Sequence, residues 1–382
     1  EEERWISMDM AADVLRVRFG SGPLADIDAT RLRPPMRRRL TRLPALGMAR
    51  KADTADRVIN RFWDYPRWLR RHADMFDLFH VVDHTYAHLA LDLPGGRTVV
   101  TVHDVDTFLP LVDPARTRST LPRSLAARIR RGLQRAVRVL CVSESTRVEL
   151  DRYGLVPHQR SLVIHNGVDP VYTPQADAES DAAASALLGP PSGDVVELVH
   201  CGTTIGRKHI DTLLEVFAVI RARNPCVRLI KAGGALTDEQ AALARRLHVD
   251  DAIVTLPFLP PKTLAAVYRR ARVALTTSDR EGFCLPLIEA LACGTAVVAS
   301  DLPVLREVGG NACSYAPVGD IERWALAVSL AAGQSQTESA ASQARVQRAA
   351  AFSWDRHAAS VATVYREVAR AAEAAAPAHA AS

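Results

Sequence analysis

The chemistry this chain could carry is concentrated in four short segments. In Cys201-Gly202-Thr203-Thr204-Ile205-Gly206-Arg207-Lys208-His209, a glycine permits close backbone approach and two adjacent cations precede the helical stretch Ile210–Arg223. Two bases at the mouth of a helix can hold a diphosphate, helped by the exposed N–H groups there. A solvated loop bearing two surface cations is the alternative. The spacing is not G-x-x-x-x-G-K-[ST], because Arg207 follows Gly206 and His209 follows Lys208, which disfavours a P-loop nucleotidase. The second segment runs from Asp279 through Glu281-Gly282-Phe283-Cys284-Leu285-Pro286 to Glu289 and Gly294. Pro286 suits the first helical position and Gly294 the position just past the end, so a short helix is predicted between them, with its positive end at Phe283–Leu287. Glu289 then lies nearly one turn inside a helix otherwise made of Leu, Ile, Ala and Cys. A carboxylate buried there is costly unless a hydroxyl or cation meets it. A ribose diol could do so, as could an arginine.

The remaining two segments are plainer. Thr98-Val99-Val100-Thr101-Val102-His103-Asp104 puts a histidine and a carboxylate after an apolar strand. That position suits an active site, and equally a structural histidine. His165-Asn166-Gly167-Val168-Asp169-Pro170 reads as a tight turn.

The elements that would position these residues are strands alternating with helices. Short β-branched runs at Thr98–Val102, Val137–Val142, Ser161–Ile164, Val195–His200, Val227–Lys231, Ile253–Leu256, Arg272–Thr276 and Ala296–Ser300 read as strands, several of them apolar on consecutive residues. That pattern suits strands of a parallel sheet covered by helices on both faces. Each of the four segments follows such a strand, where open parallel sheets bind their ligands. Between Tyr172 and Gly193 the composition turns to Ala, Ser, Pro and Asp without Lys or Arg, and a linker is predicted there. The division is therefore 1–171, a linker at 172–193, 194–351, and a terminal helix and tail at 352–382. Roughly 150 residues per domain makes two domains the natural reading of 382 residues.

Composition narrows the classes further. Hydrophobic residues at 48% and charged residues at 24% exclude disorder and collagen-like structure. No run approaches the ~20 apolar residues of a membrane helix, since Cys284–Ser300 is interrupted by Glu289. The six cysteines form no CxxC pair, and none lies in the His80–His88 stretch, so reduced thiols, a cytoplasmic location and no zinc are expected. The sequence opens Glu1-Glu2-Glu3-Arg4 without an initiator Met or a charged-then-apolar signal segment, so secretion is not expected. Residues 1–175 hold 28 Lys and Arg against 21 Asp and Glu, while 176–382 hold 20 against 22. The basic half could meet nucleic acid, anionic lipid or a phosphorylated substrate. Nucleic acid would rest only on the Arg31–Arg42 and Arg128–Arg138 stretches and is not expected. Peripheral contact with the inner face of an anionic membrane, near Arg37-Arg38-Arg39 with Leu40 and Leu43, is weighed against a solvated face.

Taken in order, the motifs resemble the retaining nucleotide-sugar glycosyltransferases of family four. The likeness covers about residues 77–372: Val102-His103-Asp104, Val142-Ser143-Glu144-Ser145, His165 to Asp169, Gly202-Thr203 with Arg207-Lys208, and Glu281-Gly282-Phe283 leading eight positions on to Glu289. Gly294 to Ser300 and Phe352-Ser353-Trp354 continue it. The resemblance implies the α/β GT-B architecture, two doubly wound Rossmann-like domains facing across a cleft, with a C-terminal helix crossing back to the first. It implies a hexosyl transfer in glycan biosynthesis, from a nucleoside-diphosphate sugar to a glycan, lipid-linked or small-molecule acceptor. Lys208 and Arg207 would neutralise the diphosphate and Glu289 would hold the ribose hydroxyls. Glu281 would grip the sugar together with backbone groups of Gly282, Phe283, Cys284 and Leu285, and His103 would approach that sugar from the other domain. Gly202 and Thr203 would line the donor loop.

Cations and a helix terminus can stabilise a departing diphosphate without a metal, so no metal cofactor is expected, and Asp104-Val105-Asp106 is read as incidental. No carboxylate is identifiable as a nucleophile, which favours same-face substitution over a glycosyl-enzyme intermediate. Two departures stand out. Thr203 occupies a place where many relatives carry Arg, and the chain begins at what reads as the first helix, Ser7–Leu15, so the family's opening strand and glycine loop are expected to be missing. That second departure motivates an alternative, a non-catalytic nucleotide-sugar-binding or partner-docking protein of the same fold. The base would be read by backbone near Lys231–Gly234 and Leu256–Phe258.

Overall fold

The computed structural model describes residues 6–42, 50–94, 96–113, 120–333 and 340–375. Leu43, the first five residues and the tail after 375, all touched on above, lie outside them. The chain divides into two units, one formed by residues up to His165 together with Asp355 onward, the other by Asn166–Trp354.

The first unit holds a parallel sheet of β1 (Phe79–Val81), β2 (Thr98–Val102), β3 (Arg138–Cys141) and β4 (Ser161–Val163), in that spatial order. Neighbouring residues of one strand serve opposite faces. Val100 and Val139 pack with Phe108, Ile129, Leu133 and Leu150, whereas Val99 and Leu140 pack with Leu15, Phe19, Val361 and Val368. This is why β2 is buried at every position rather than at alternate ones. The helix Ile6–Arg18 and the terminal helix Trp354–Ala375 cover the second of these faces. β1 is an outer strand, and beside its free edge lies a cavity of about 1190 Å³ lined by Leu15, Phe19, Leu32, Phe79, Leu93 and Tyr365 among others. It includes neither His103 nor Asp104.

The second unit holds six parallel strands: β5 (Val196–Cys201), β6 (Val227–Ala232), β7 (Ile253–Leu256), β8 (Val273–Thr276), β9 (Ala296–Ser300) and β10 (Ser314–Ala316), ordered β10-β9-β8-β5-β6-β7. Its core gathers Leu198, Leu213, Phe217, Leu229, Val273, Val298 and Trp324.

Two expectations are corrected, and two strands appear that no expectation covered. The stretch 172–193 is not a linker: it contains the helix Ala178–Leu188, capped by Asp177, whose side chain accepts from the Ser180 N–H at 3.1 Å. Ser180, Ala184 and Leu188 are its buried face, and Arg269 fastens it through Asp181 at 2.6 Å. An alanine-rich helix with small buried residues carries almost no polarity contrast, so composition alone reads as connector. The chain leaves the first unit after His165 and re-enters it at Asp355, rather than at 171 and 352. There Val168 and Ser353 form a parallel bridge, and the Val168 N–H donates to the Phe352 carbonyl at 3.2 Å. The histidine-to-aspartate turn therefore marks the crossing. Finally, β1 and β10 had no sequence signal.

Candidate functional site

In the second unit the strand order reverses between neighbours β5 and β8, with β6 and β7 beyond one and β9 and β10 beyond the other. Such a reversal leaves a crevice past the carboxyl ends of the two strands. The loops that leave them are the two richest segments of the sequence, and they are tied together. The Asp279 N–H donates to the Arg207 carbonyl at 3.0 Å, the Thr277 hydroxyl donates to the Lys208 carbonyl at 2.9 Å, and His209 Nε2 lies 3.0 Å from Asp279 Oδ2.

Within this frame Lys208 Nζ sits 2.5 Å from Glu281 Oε1, Arg207 Nη1 is 3.5 Å from Glu281 Oε2, and the Ser278 hydroxyl donates to Oε1 at 2.7 Å. Lys208 and Glu281 are 73 positions apart in the chain. Burial works against both charges, but each outweighs it for the other: the Lys208 ammonium is held above its ordinary value and the Glu281 carboxyl below its own. Both are charged at neutral pH. Lys208 and Arg207 therefore point at the Glu281 loop, and that carboxylate pairs with both cations.

The loop runs on into the helix Leu285–Ala292, with Pro286 in its first turn and Cys284 at its N-cap in a left-handed conformation, φ 74°. Past its end Gly294 has φ 77°, a left-handed conformation that favours glycine. Phe283 buries its ring edge-on against Phe352, centroids 5.6 Å apart, leaving only its backbone for a ligand. Cys284 is buried and its thiol is pushed up to about 12. Gly282 is buried, Leu285 half-buried, and Thr203 exposed on the Gly202 loop.

Glu289 is buried inside the helix. The Tyr268 hydroxyl donates to its Oε2 at 3.3 Å, and the Tyr172 hydroxyl is a second partner. Burial pushes this carboxyl up to about 7, with the two tyrosines pulling the other way. The phenols take the place of the ribose diol or arginine expected from sequence. Neither tyrosine carried a sequence signal: one lies in the supposed linker, the other in the last turn of the helix Pro261–Arg270.

In the first unit His103 stands just past β2. Its Nε2 lies 2.8 Å from the Val82 carbonyl, which can only accept, so Nε2 carries the proton and Nδ1 the lone pair. Burial and then neighbouring His84 lower its pKa, keeping the ring neutral. The His103 N–H donates to His84 Nδ1 at 3.3 Å, and Asp104 accepts the Asp106 N–H at 3.0 Å. Among the described residues no group of three or more His, Cys, Asp or Glu side chains is placed to hold a metal ion, and no helix is long and apolar enough to cross a membrane. In the basic stretch, Arg31 is paired with Asp9 and Asp13, and Arg39 with Asp64.

Two parallel-sheet units, the second with a cation-lined switch point, define a GT-B α/β protein. The family model "Glycosyltransferase Family 4" matches residues 19–172 and "Glycosyl transferases group 1" matches residues 192–344. The chain belongs to the family-four GT-B glycosyltransferases. It is 32% identical over 286 residues to a D-inositol 3-phosphate glycosyltransferase of Segniliparus rotundus, covering 71% of this chain and 62% of that protein. It is 28% identical to the O-antigen chain mannosyltransferase B of Escherichia coli, covering 68% of this chain and 67% of that one. The chain thus spans less than two thirds of the length of the first of these curated relatives, and about half of a second D-inositol 3-phosphate glycosyltransferase, from Saccharomonospora viridis, to which it is 36% identical. In fold it is similar to the Anabaena protein HepE, solved with UDP and glucose, at a TM-score of 0.65, 18% identity and 82% coverage of both chains.

Proposed function

We propose that this chain is a retaining glycosyltransferase that moves a sugar from a nucleoside-diphosphate donor to the hydroxyl of a glycan, lipid-linked or small-molecule acceptor. The observation that carries the reading is the convergence of Lys208 and Arg207 on Glu281, at the loop opening the helix Leu285–Ala292. A departing nucleoside diphosphate accumulates negative charge on its phosphates. Cations and a helix terminus already aimed at one point stabilise that charge without reorganising. When the diphosphate takes over Lys208 and Arg207, Glu281 is freed to accept hydrogen bonds from hydroxyls of the transferred sugar. Glu289, held by phenols without the donor, exchanges them for ribose hydroxyls. His103, neutral with its proton on Nε2, acts as a hydrogen-bonding group rather than a charge.

The bond from the anomeric carbon to the phosphate oxygen breaks as the acceptor oxygen bonds to the same face of that carbon. The acceptor proton passes to the leaving phosphate. Both charges of the cradle come from side chains, so the step proceeds without a metal. Relatives named for transfer to inositol 3-phosphate and to an O-antigen chain, and a similar fold that holds UDP, support the class. The test is calorimetry of nucleoside diphosphates with Lys208→Ala and Glu289→Ala. Both should bind at least tenfold more weakly than the parent, each having lost at least ~1.4 kcal/mol of contact. Unchanged affinity in both would remove these residues from a donor site. An inverted product anomer would refute the same-face step, and donor binding with neither hydrolysis nor transfer would favour a docking protein.

A further inference from the structure

Beneath the donor loops lies a cation that the proposed mechanism does not use. Lys231, on β6, is fully buried. Its Nζ donates to the carbonyls of Gly202 at 2.6 Å, Ala232 at 3.2 Å and Gly234 at 3.3 Å. All three partners are carbonyls, so the ammonium is solvated by dipoles and, among the described residues, is given no carboxylate partner. A buried charge in that condition is costly, because removal from water is only partly offset by neutral oxygens. The same contacts knit two loops. Gly202 follows β5 and Gly233-Gly234 follow β6, and they approach so closely that a Cβ on Gly233 would lie 2.7 Å from the Gly202 carbonyl oxygen. The Lys208 side chain passes the other side of Gly202, its Cε 3.4 Å from where a Cβ would stand. Two ammonium groups therefore bracket a single glycine, and only one of them has a carboxylate.

We propose that Lys231 is a positioning residue of the donor site, locking the Gly202 and Gly233-Gly234 loops together and holding beneath them an unbalanced positive charge that the donor's diphosphate balances. This rests on the nucleotide-sugar reading above. It implies proton linkage. Burial and then Lys208 pull the Lys231 ammonium down to about 8, and an anion bound over the loops raises it again. The other groups facing it hold their charge through this range. Cys201 is pushed up to about 11 by burial, His200 is neutral, far below its ordinary value, and Lys208 stays protonated above its own. Glu289, at about 7, is the exception, and it is largely ionised by about pH 8.5, where the uptake is read.

The experiment is titration calorimetry with UDP, and with inorganic pyrophosphate as a second probe, between about pH 7 and about pH 9, in buffers of differing ionisation heat. Wild-type protein should take up a fraction of a proton on binding near pH 8.5, and its affinity should fall about fivefold or more from pH 7 to pH 9. Lys231→Arg keeps the charge throughout and should bind with no uptake and less than about twofold change across that range. Lys231→Met should also show no uptake, with weaker binding already at neutral pH. Uptake in wild type measures the effect without any variant, so a misfolded substitution leaves the test intact. Binding of UDP with no proton uptake overturns the role of Lys231 and leaves the donor site standing. Failure of both probes to bind at any pH overturns the donor site and this inference together.

Discussion

Replacing Glu289 by Gln separates the cost of its charge from its hydrogen bonds. The glutamine oxygen can still accept from the Tyr268 and Tyr172 hydroxyls, but it never ionises. The wild-type carboxyl is raised by burial from an ordinary 4.5 to about 7 in the folded chain. Below 4.5 both folded and unfolded forms are protonated, and the group does not distinguish them. As pH rises, the unfolded chain ionises first and is favoured. The stability difference, wild type minus Glu289→Gln, should therefore decline from about pH 4.5 and level off above about pH 7, the total being about 3 kcal/mol at 1.36 kcal/mol per unit. Equilibrium urea unfolding of both proteins from about pH 5 to about pH 8 measures it. Parallel profiles would refute the reasoning, showing that Glu289 is ionised in the fold well below neutrality and that its surroundings favour the charge. Nucleoside diphosphate should weaken the trend. Ribose hydroxyls donating to the carboxylate stabilise its charged form, so the bound wild type should lose less stability across the same range.

Two further outcomes follow from the geometry. Glu281→Gln strands the Lys208 and Arg207 charges, so the second unit should lose about 3–5 kcal/mol, as when one partner of a buried pair is removed. Pyrophosphate should then raise the melting temperature of the variant more than that of wild type, and equal shifts would contradict competition between Glu281 and the anion. Gly233→Ala places a methyl 2.7 Å from the Gly202 carbonyl oxygen at φ 96°. It should cost about 1–3 kcal/mol in unfolding and weaken UDP binding, and an unchanged urea midpoint would mean that the two loops are not in contact.

Much of the strand framework could be read from the chain because β2, β3, β5 and β8 are covered on both faces, which leaves an apolar run no single helix turn would need. The helix Leu285–Ala292 was legible through Pro286 and Gly294, residues whose backbone restrictions act locally. β1 and β10 were not, since three residues each, half exposed and shared with His80 or Ser314, carry no periodicity. The helix Ala178–Leu188 did leave a trace, its buried residues falling every fourth position, but in side chains too small to contrast with their neighbours. Lys231 left one as well: a lysine directly after Leu229 and Ile230, near the end of a strand.

Local sequence thus determined which residues stand at strand ends and which chemistry they hold, because strand and helix termini are set by nearest neighbours. Only the tertiary structure decided which of them meet. Lys208 touches Glu281 because the crossover from β5 sends β6 to one side while β8 returns on the other. Glu289 meets phenols because Tyr268 and Tyr172 reach it from elsewhere in the second unit. Lys231 keeps its charge on carbonyls alone because two glycine loops close over it. Those encounters depend on the order in which strands assemble, and nothing in the spacing of a single segment records that order.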